Sequence, residues 1–184
     1  MKKLSQHSHS ALILTVAILV IGIASRLIPH PANMTPMISL SLIAATQLRK
    51  SFSLITIFFV MVISDFLLSQ FLGYPFISSW SLFTYSGFLA IALIASFQKW
   101  TSGSSLILAA LVGTLGFWIW TNFGVWLISD MYSHTSTGFI ACYVAALPFL
   151  RNSLIGSLAW MLIYLSVFQY ALSKQITLLT RSVA

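Results

Sequence analysis

The hydrophobic and polar positions of this 184-residue chain fall into long apolar runs divided by short polar breaks. Run length and punctuation predict six helices. They cover residues 10–28, 36–48, 52–69, 81–97, 106–128 and 153–172. The runs are continuous, which excludes a membrane β-barrel, whose strands alternate apolar with polar positions. Between the first two helices, RLIPHPANMTP holds Pro29, Pro31 and Pro36, which forbid a continuous helix. Thr35 is placed to cap the second helix and Pro36 to be its first residue. That helix rises roughly 20 Å, against a hydrocarbon core about 30 Å thick. Either it thins the bilayer or its proline-rich entry dips below the surface. Irregular backbone at that depth is tolerated only against protein or a water-filled cavity, so a cavity is expected. On the fifth helix, Ala109, Gly113 and Gly116 offer small surfaces for a close neighbour.

A further apolar stretch, residues 137–150, is too short to cross a membrane. It reads as a short lid helix at the outer mouth, ended by Pro148, with Arg151 opening the sixth helix. Residues 1–9 and 173–184 read as tails, and residues 1–184 as one polytopic membrane domain.

Composition agrees with this pattern. The chain is 59% hydrophobic and 6% charged, where a soluble domain carries about 25% charged residues. The fold class is therefore all-α integral membrane, and the bilayer is its first partner. The opening stretch also has the layout of a signal peptide. Its apolar run is long for one, and everything after it is membrane-embedded too, so a first span is the better reading.

Charge orients the bundle. With six spans both termini share a side, which would hold Lys2, Lys3, Arg49, Lys50, Lys99, Lys174 and Arg181, leaving Arg26 and Arg151 opposite. That bias places both termini in the cytoplasm, in a bacterial inner membrane. The net charge of +7 thus reflects topology and anionic lipid, without need of nucleic acid. Both acids of the chain, Asp65 and Asp130, fall with Arg26 and Arg151 at the outer end. Charges at membrane depth face the interior and pair. These four are either structural ion pairs or the polar floor of an outward site, and the two readings are compatible.

Other candidates weigh less. Asp130 and His134 are four residues apart, on one face if helical. A metal site needs about three protein ligands, and the only other outer histidine is His30, so the protein alone supplies none. Trp126, one turn after Asn122, offers a flat face to a ring-shaped ligand. Cys142 reads as a small buried residue. No nucleophile has an adjacent base and orienting acid, and no glycine-rich phosphate loop occurs, so an enzyme is not expected and no intrinsic cofactor is implied.

Four elements carry a family resemblance: the RLIPHPANMTP entry, the Ser-Asp-Phe-Leu end of helix three, the TNFGVW run and the ALPFLRN turn. With six short spans and cytoplasmic termini, the chain resembles the substrate-binding (S) components of energy-coupling-factor vitamin transporters. Within these it is similar to the solitary cobalamin-uptake proteins of the BtuM type, over residues 26–170. The resemblance implies uptake of cobalamin or a related corrinoid from the outer side. It implies corrinoid binding by the third helix's carboxylate, an aromatic early in the fourth helix and the arginine before the sixth. Those roles fall on Asp65, on Tyr85 (with Phe83 close to the same position) and on Arg151; Asn122, Trp126 and Asp130 complete the candidate binding set. The family's cobalt-ligating cysteine in the connector between helices three and four has no counterpart, since Ser78 and Ser79 stand there. Decyanation therefore does not carry over, and His134 or His30 is left as the candidate cobalt ligand. The small-residue pattern that docks a coupling subunit is also altered, with Ala17 and Ala24 seven apart on the first helix. A solitary protein fits better, with an energy-coupling module and its ATPases left open. The competing readings are the same architecture with another vitamin, or a non-transporting scaffold whose outer charges are plain ion pairs.

Overall fold

The computed structural model describes residues 9–98, 100 and 102–181, with side chains described through residue 167. The helices are α1 His9–Leu27, α2 Met37–Gln47, α3 Lys50–Leu72, α4 Ser81–Ser96, α5 Gly103–Ile128, α6 Ser136–Ala145 and α7 Leu147–Arg181. No strand occurs among the described residues. Four helices are long and apolar enough to cross a membrane: His9–Leu27, Lys50–Leu72, Gly103–Ile128 and Leu147–Val167.

The exposed surface supports the same reading independently of length. Large apolar side chains point outward along α1 (Leu12, Ile13, Val20), α3 (Phe58, Phe59), α5 (Leu108, Val112, Ile119) and α7 (Leu162, Val167). Hydroxyl and amide side chains such as Ser39, Ser41, Thr46, Gln47, Thr114 and Ser157 are buried instead. Apolar patches of this extent on a monomer mark a membrane or partner surface. The architecture is that of a multi-pass helical membrane protein.

The short second helix sits at the centre. Every residue of α2 is buried, and α2 touches α1, α3, α4, α5 and α7. Lipid does not reach it, so its length is free of the bilayer's thickness. Its polar groups are answered within protein. Ser41 and Thr46 donate to the backbone carbonyls of Met37 and Ile43. Ser39 donates to the Ser157 carbonyl of α7 at 2.6 Å, and Gln47 to the Tyr164 hydroxyl at 2.8 Å. Interhelical hydrogen bonds in membrane bundles stabilise by about 0.6 kcal/mol each on average. Close contact supplies the rest, because lipid tails are as apolar as the core.

Helix ends follow local chemistry, with some departures from expectation. Pro36 itself, not Thr35, is the boundary residue of α2, and its carbonyl accepts the first helical bond from Leu40 at 2.8 Å. α3 runs on through Phe71 and Leu72 until Gly73, at φ 72°, turns the chain out in the left-handed region. Ser102 caps α5 and Thr135 caps α6 by accepting from Ser105 and Gly138 backbone N–H groups. Pro148 does not end the lid helix. α6 stops at Ala145, and Pro148 lies in the first turn of α7, where a missing N–H costs nothing. Arg151 consequently lies inside α7. The expected C-terminal tail from residue 173 is helical as far as Arg181, residues 182–184 being outside the described residues. The expected N-terminal tail falls outside the described residues, except His9, which opens α1.

Small residues permit the tight approaches, though not all at the expected places. A Cβ on Gly22 of α1 would stand 2.6 Å from Val60 of α3 and 3.4 Å from Leu40 of α2. Gly113 faces Ile38 at 3.5 Å, whereas a Cβ on Gly116 would meet nothing within 4 Å. Gly22→Val should therefore wedge α1 from α2 and α3 and destabilise by about 1–3 kcal/mol. Gly116→Ala should be neutral or stabilise by up to about 1 kcal/mol. Thermal unfolding in detergent, followed by helical circular dichroism, checks both; equal melting temperatures for the two variants would contradict this packing.

Candidate functional site

Arg26 in the last turn of α1, Asp65 on α3 and Tyr85 on α4 meet at one carboxylate. Arg26 Nη2 donates to Asp65 Oδ1 at 2.5 Å. The Tyr85 hydroxyl donates to Asp65 Oδ2 at 2.6 Å. Arg26 Nη1 rests 3.0 Å from the thioether sulfur of the buried Met61. The two charged side chains are 18% and 13% exposed, so water screens them little. In that setting each charge depends on the other, and the shared carboxylate ties three helices together.

Beside this cluster lies an open cavity of about 830 Å³. Arg26, Asp65, Tyr85 and Ser157 line its helical base. The α1–α2 loop adds His30, Asn33 and Thr35; the α3–α4 connector adds Tyr74, Pro75 and Ser78; α5 adds Trp118, Thr121 and Asn122. At the base, Thr114 donates to Ser157 Oγ at 3.0 Å, which continues the link from Ser39 to α7. The volume lies within the range of roughly 300–1,000 Å³ typical of small-molecule sites.

The loop of residues 29–36 is fixed in place. Met34 N–H bonds the Pro31 carbonyl at 3.0 Å, and Asn152 Nδ2 of α7 bonds the Ala32 carbonyl at 3.0 Å. A Cβ on Gly156 would stand 3.1 Å from the Met34 carbonyl carbon, so α7 and the loop touch backbone to backbone. Asn33 holds φ 64°, a region that asparagine tolerates better than most residues. The short helix α6 is fastened to α5 in turn. Trp118 Nε1 donates to the Ala146 carbonyl at 3.0 Å and the Tyr143 hydroxyl to the Ile119 carbonyl at 2.8 Å. Cys142 also lines the cavity, its sulfur 3.5 Å from the Asn122 carbonyl. Burial pushes its thiol above the ordinary cysteine range, away from a thiolate.

The structure divides the residues singled out in the sequence. Asp65, Tyr85 and Asn122 line the cavity, as does His30. Of the two aromatics early in α4, Tyr85 lines the cavity, whereas Phe83 is buried against Gly124 and Trp120. Trp126 and His134 instead flank a separate groove of about 420 Å³ with Phe139. There Trp126 meets Phe139 at 88° and donates to the Ser133 carbonyl, so its ring and its N–H are both engaged. Asp130 and Arg151 are exposed and line neither space. The expected constellation of four charges is thus a pair, Arg26 and Asp65, and it is the only ion pair among the described residues. No group of three or more His, Cys, Asp or Glu side chains converges among the described residues.

Sequence reasoning counted Arg26 as a charge but did not choose it for the site. The available signal was its place one turn before the proline-rich loop, at the same bundle end as Asp65. Asn33 and Thr35 were passed over because a loop's direction is set by its anchors on α7, 120 residues away in the case of Asn152 and Ala32.

Fold and site together define a multi-pass helical membrane protein with a polar-based cavity at one end of the bundle. The sequence pattern of a family of unknown function, DUF6580, matches residues 5–179, and the chain belongs to that family. No curated protein and no solved structure matches it.

Arg26→Gln should leave the Asp65 carboxylate without its cation and destabilise by about 1–3 kcal/mol. Adding Asp65→Asn should recover part of that loss, since a neutral pair has no charge to strand. A double-mutant cycle on melting temperature in detergent measures the coupling; strict additivity would show that the two side chains do not depend on each other.

Proposed function

We propose that this chain is the substrate-binding component of a membrane transport system, taking up a small molecule from the outer side of a bacterial cytoplasmic membrane. The observation that carries the reading is the cavity with its Arg26–Asp65–Tyr85 base, buried in a bundle whose outer surface is apolar. α1, α3, α5 and α7 span fully, α2 and α4 complete six crossings, and both termini lie in the cytoplasm. The orientation rests on the excess of basic residues that a six-span topology puts on the side of the termini. The lid helix α6 then lies at the outer mouth. No catalytic role is assigned.

The ligand we favour is cobalamin or a related corrinoid, on the resemblance to BtuM-type proteins. Asp65 and Tyr85 occupy the positions that resemblance implies. The guanidinium contact is assigned to Arg26 in place of Arg151, which is exposed on α7. His30 lines the cavity and is the candidate to approach the cobalt; His134 flanks the neighbouring groove. One observation favours a second reading, a smaller vitamin-like ligand. A volume of about 830 Å³ suits a drug-sized molecule, and a whole corrinoid would project through the mouth towards α6.

Detergent-purified protein incubated with cyanocobalamin and desalted should retain the cobalamin visible spectrum, saturably. Arg26→Gln and Tyr85→Phe should each weaken retention by about tenfold or more, while Arg151→Ala leaves it unchanged. Absence of retained absorbance in the wild type would overturn the corrinoid reading. Loss of binding on Arg151→Ala alone would overturn the site assignment.

A further inference from the structure

The hydrogen-bond capacity left over at the cavity base defines a ligand group. Asp65 accepts from Arg26 at one carboxylate oxygen and from Tyr85 at the other. It positions both partners, and any lone pair it keeps towards the cavity can only accept. A guanidinium has five N–H donors and no acceptor. Here Nη2 binds Asp65 and Nη1 rests on a thioether, a weak acceptor, so Arg26 retains donors for a better one. Tyr85 is the reverse. Its only proton is committed to Asp65, so what it offers the cavity is the phenolic oxygen's lone pairs. Both side chains line the cavity and bind the two oxygens of one carboxylate. A donor and an acceptor are thus presented side by side. Their charge is balanced: among the described residues Arg26 is the only Lys or Arg on the cavity wall and Asp65 the only acid.

We infer that this base selects a neutral carboxamide over the corresponding carboxylate, resting on the reading of the cavity as a small-molecule site. A carboxamide gives its carbonyl oxygen to Arg26 and its N–H to the Tyr85 oxygen. A carboxylate has no proton for Tyr85 and brings a second negative charge next to Asp65. Like charges so placed discriminate strongly against the wrong ligand. The donor–acceptor order is also reversible. In Asp65→Asn the amide nitrogen donates to the Tyr85 oxygen, which frees the phenol proton to point into the cavity. The Arg26 charge is then unbalanced, and the same base becomes a carboxylate site.

Equilibrium binding to detergent-solubilised protein at neutral pH tests this with two probe pairs. One is cyanocobalamin against the isomeric monocarboxylic acids made by hydrolysing one peripheral amide; the other is nicotinamide against nicotinate. In the wild type the amide member should bind about tenfold tighter, for at least one corrinoid isomer or for the nicotinamide pair. Asp65→Asn should reverse the order, and Arg26→Gln with Asp65→Asn should leave little preference either way. If no corrinoid binds while nicotinamide outbinds nicotinate, the corrinoid reading fails and the selectivity stands. If acids bind the wild type as tightly as amides in every pair that binds, the selectivity fails, whatever the corrinoid result. Binding of none of the probes overturns both. Should the single variant fail to fold, the wild-type order decides alone.

Discussion

An arginine and an aspartate largely buried in an apolar bundle answer each other, because solvent reaches only a small part of either side chain. Arg26 and Asp65 do so at 2.5 Å, and Tyr85 closes the remaining carboxylate oxygen. Much else at this end of the molecule follows from that. The pair joins α1 to α3, the tyrosine adds α4, and the three meet where the chain leaves α1 for its proline-rich loop. With the charges answered inside the protein, the bundle can hold a polar surface below its loops without exposing it to lipid. The result is a cavity whose base is charged yet neutral in sum.

The buried α2 is the other half of the design. A helix of 11 residues cannot match a bilayer, and here it has no need to, because its neighbours surround it. Its shortness leaves room above it for the 29–36 loop and the cavity. Its polar side chains reach α7 on two levels, at Ser157 and at Tyr164. The loop is held to α7 as well, through Asn152 and the bare backbone at Gly156. α7 therefore braces both the central helix and the cavity wall.

Helix positions were legible in the sequence because apolar run length and proline or glycine punctuation are local signals. The short second helix, the short helix after α5 and the cavity at the polar end all follow from such signals. Pro148 misled because a proline closing one helix and a proline in the first turn of the next look alike until the backbone is seen. Half of the candidate binding set reaches the cavity wall: Asp65, Tyr85 and Asn122 line it. Arg151 matches Arg26 in charge and Asp130 matches Asp65, at the same end, but sequence gives no helix rotation, and rotation decides which charge faces inward. Arg26 faces inward and Arg151 does not. Trp126 turned to the neighbouring groove because Phe139 and Ser133, later in the chain, engage its ring and its N–H.

The central claim is a water-filled cavity, open to the outside, above a charge-balanced base. Thr84 lines that cavity from within α4, one residue before Tyr85. The direct measurement places a cysteine there (Thr84→Cys in a Cys142→Ala background) and reads its labelling in intact cells by a charged, membrane-impermeant thiol reagent. The expected result is labelling from the outside, suppressed when Tyr85 is also replaced by a tryptophan that fills the base. Labelling only after the membrane is opened would put the cavity on the cytoplasmic side, and no labelling from either side would mean that no such aqueous cavity exists.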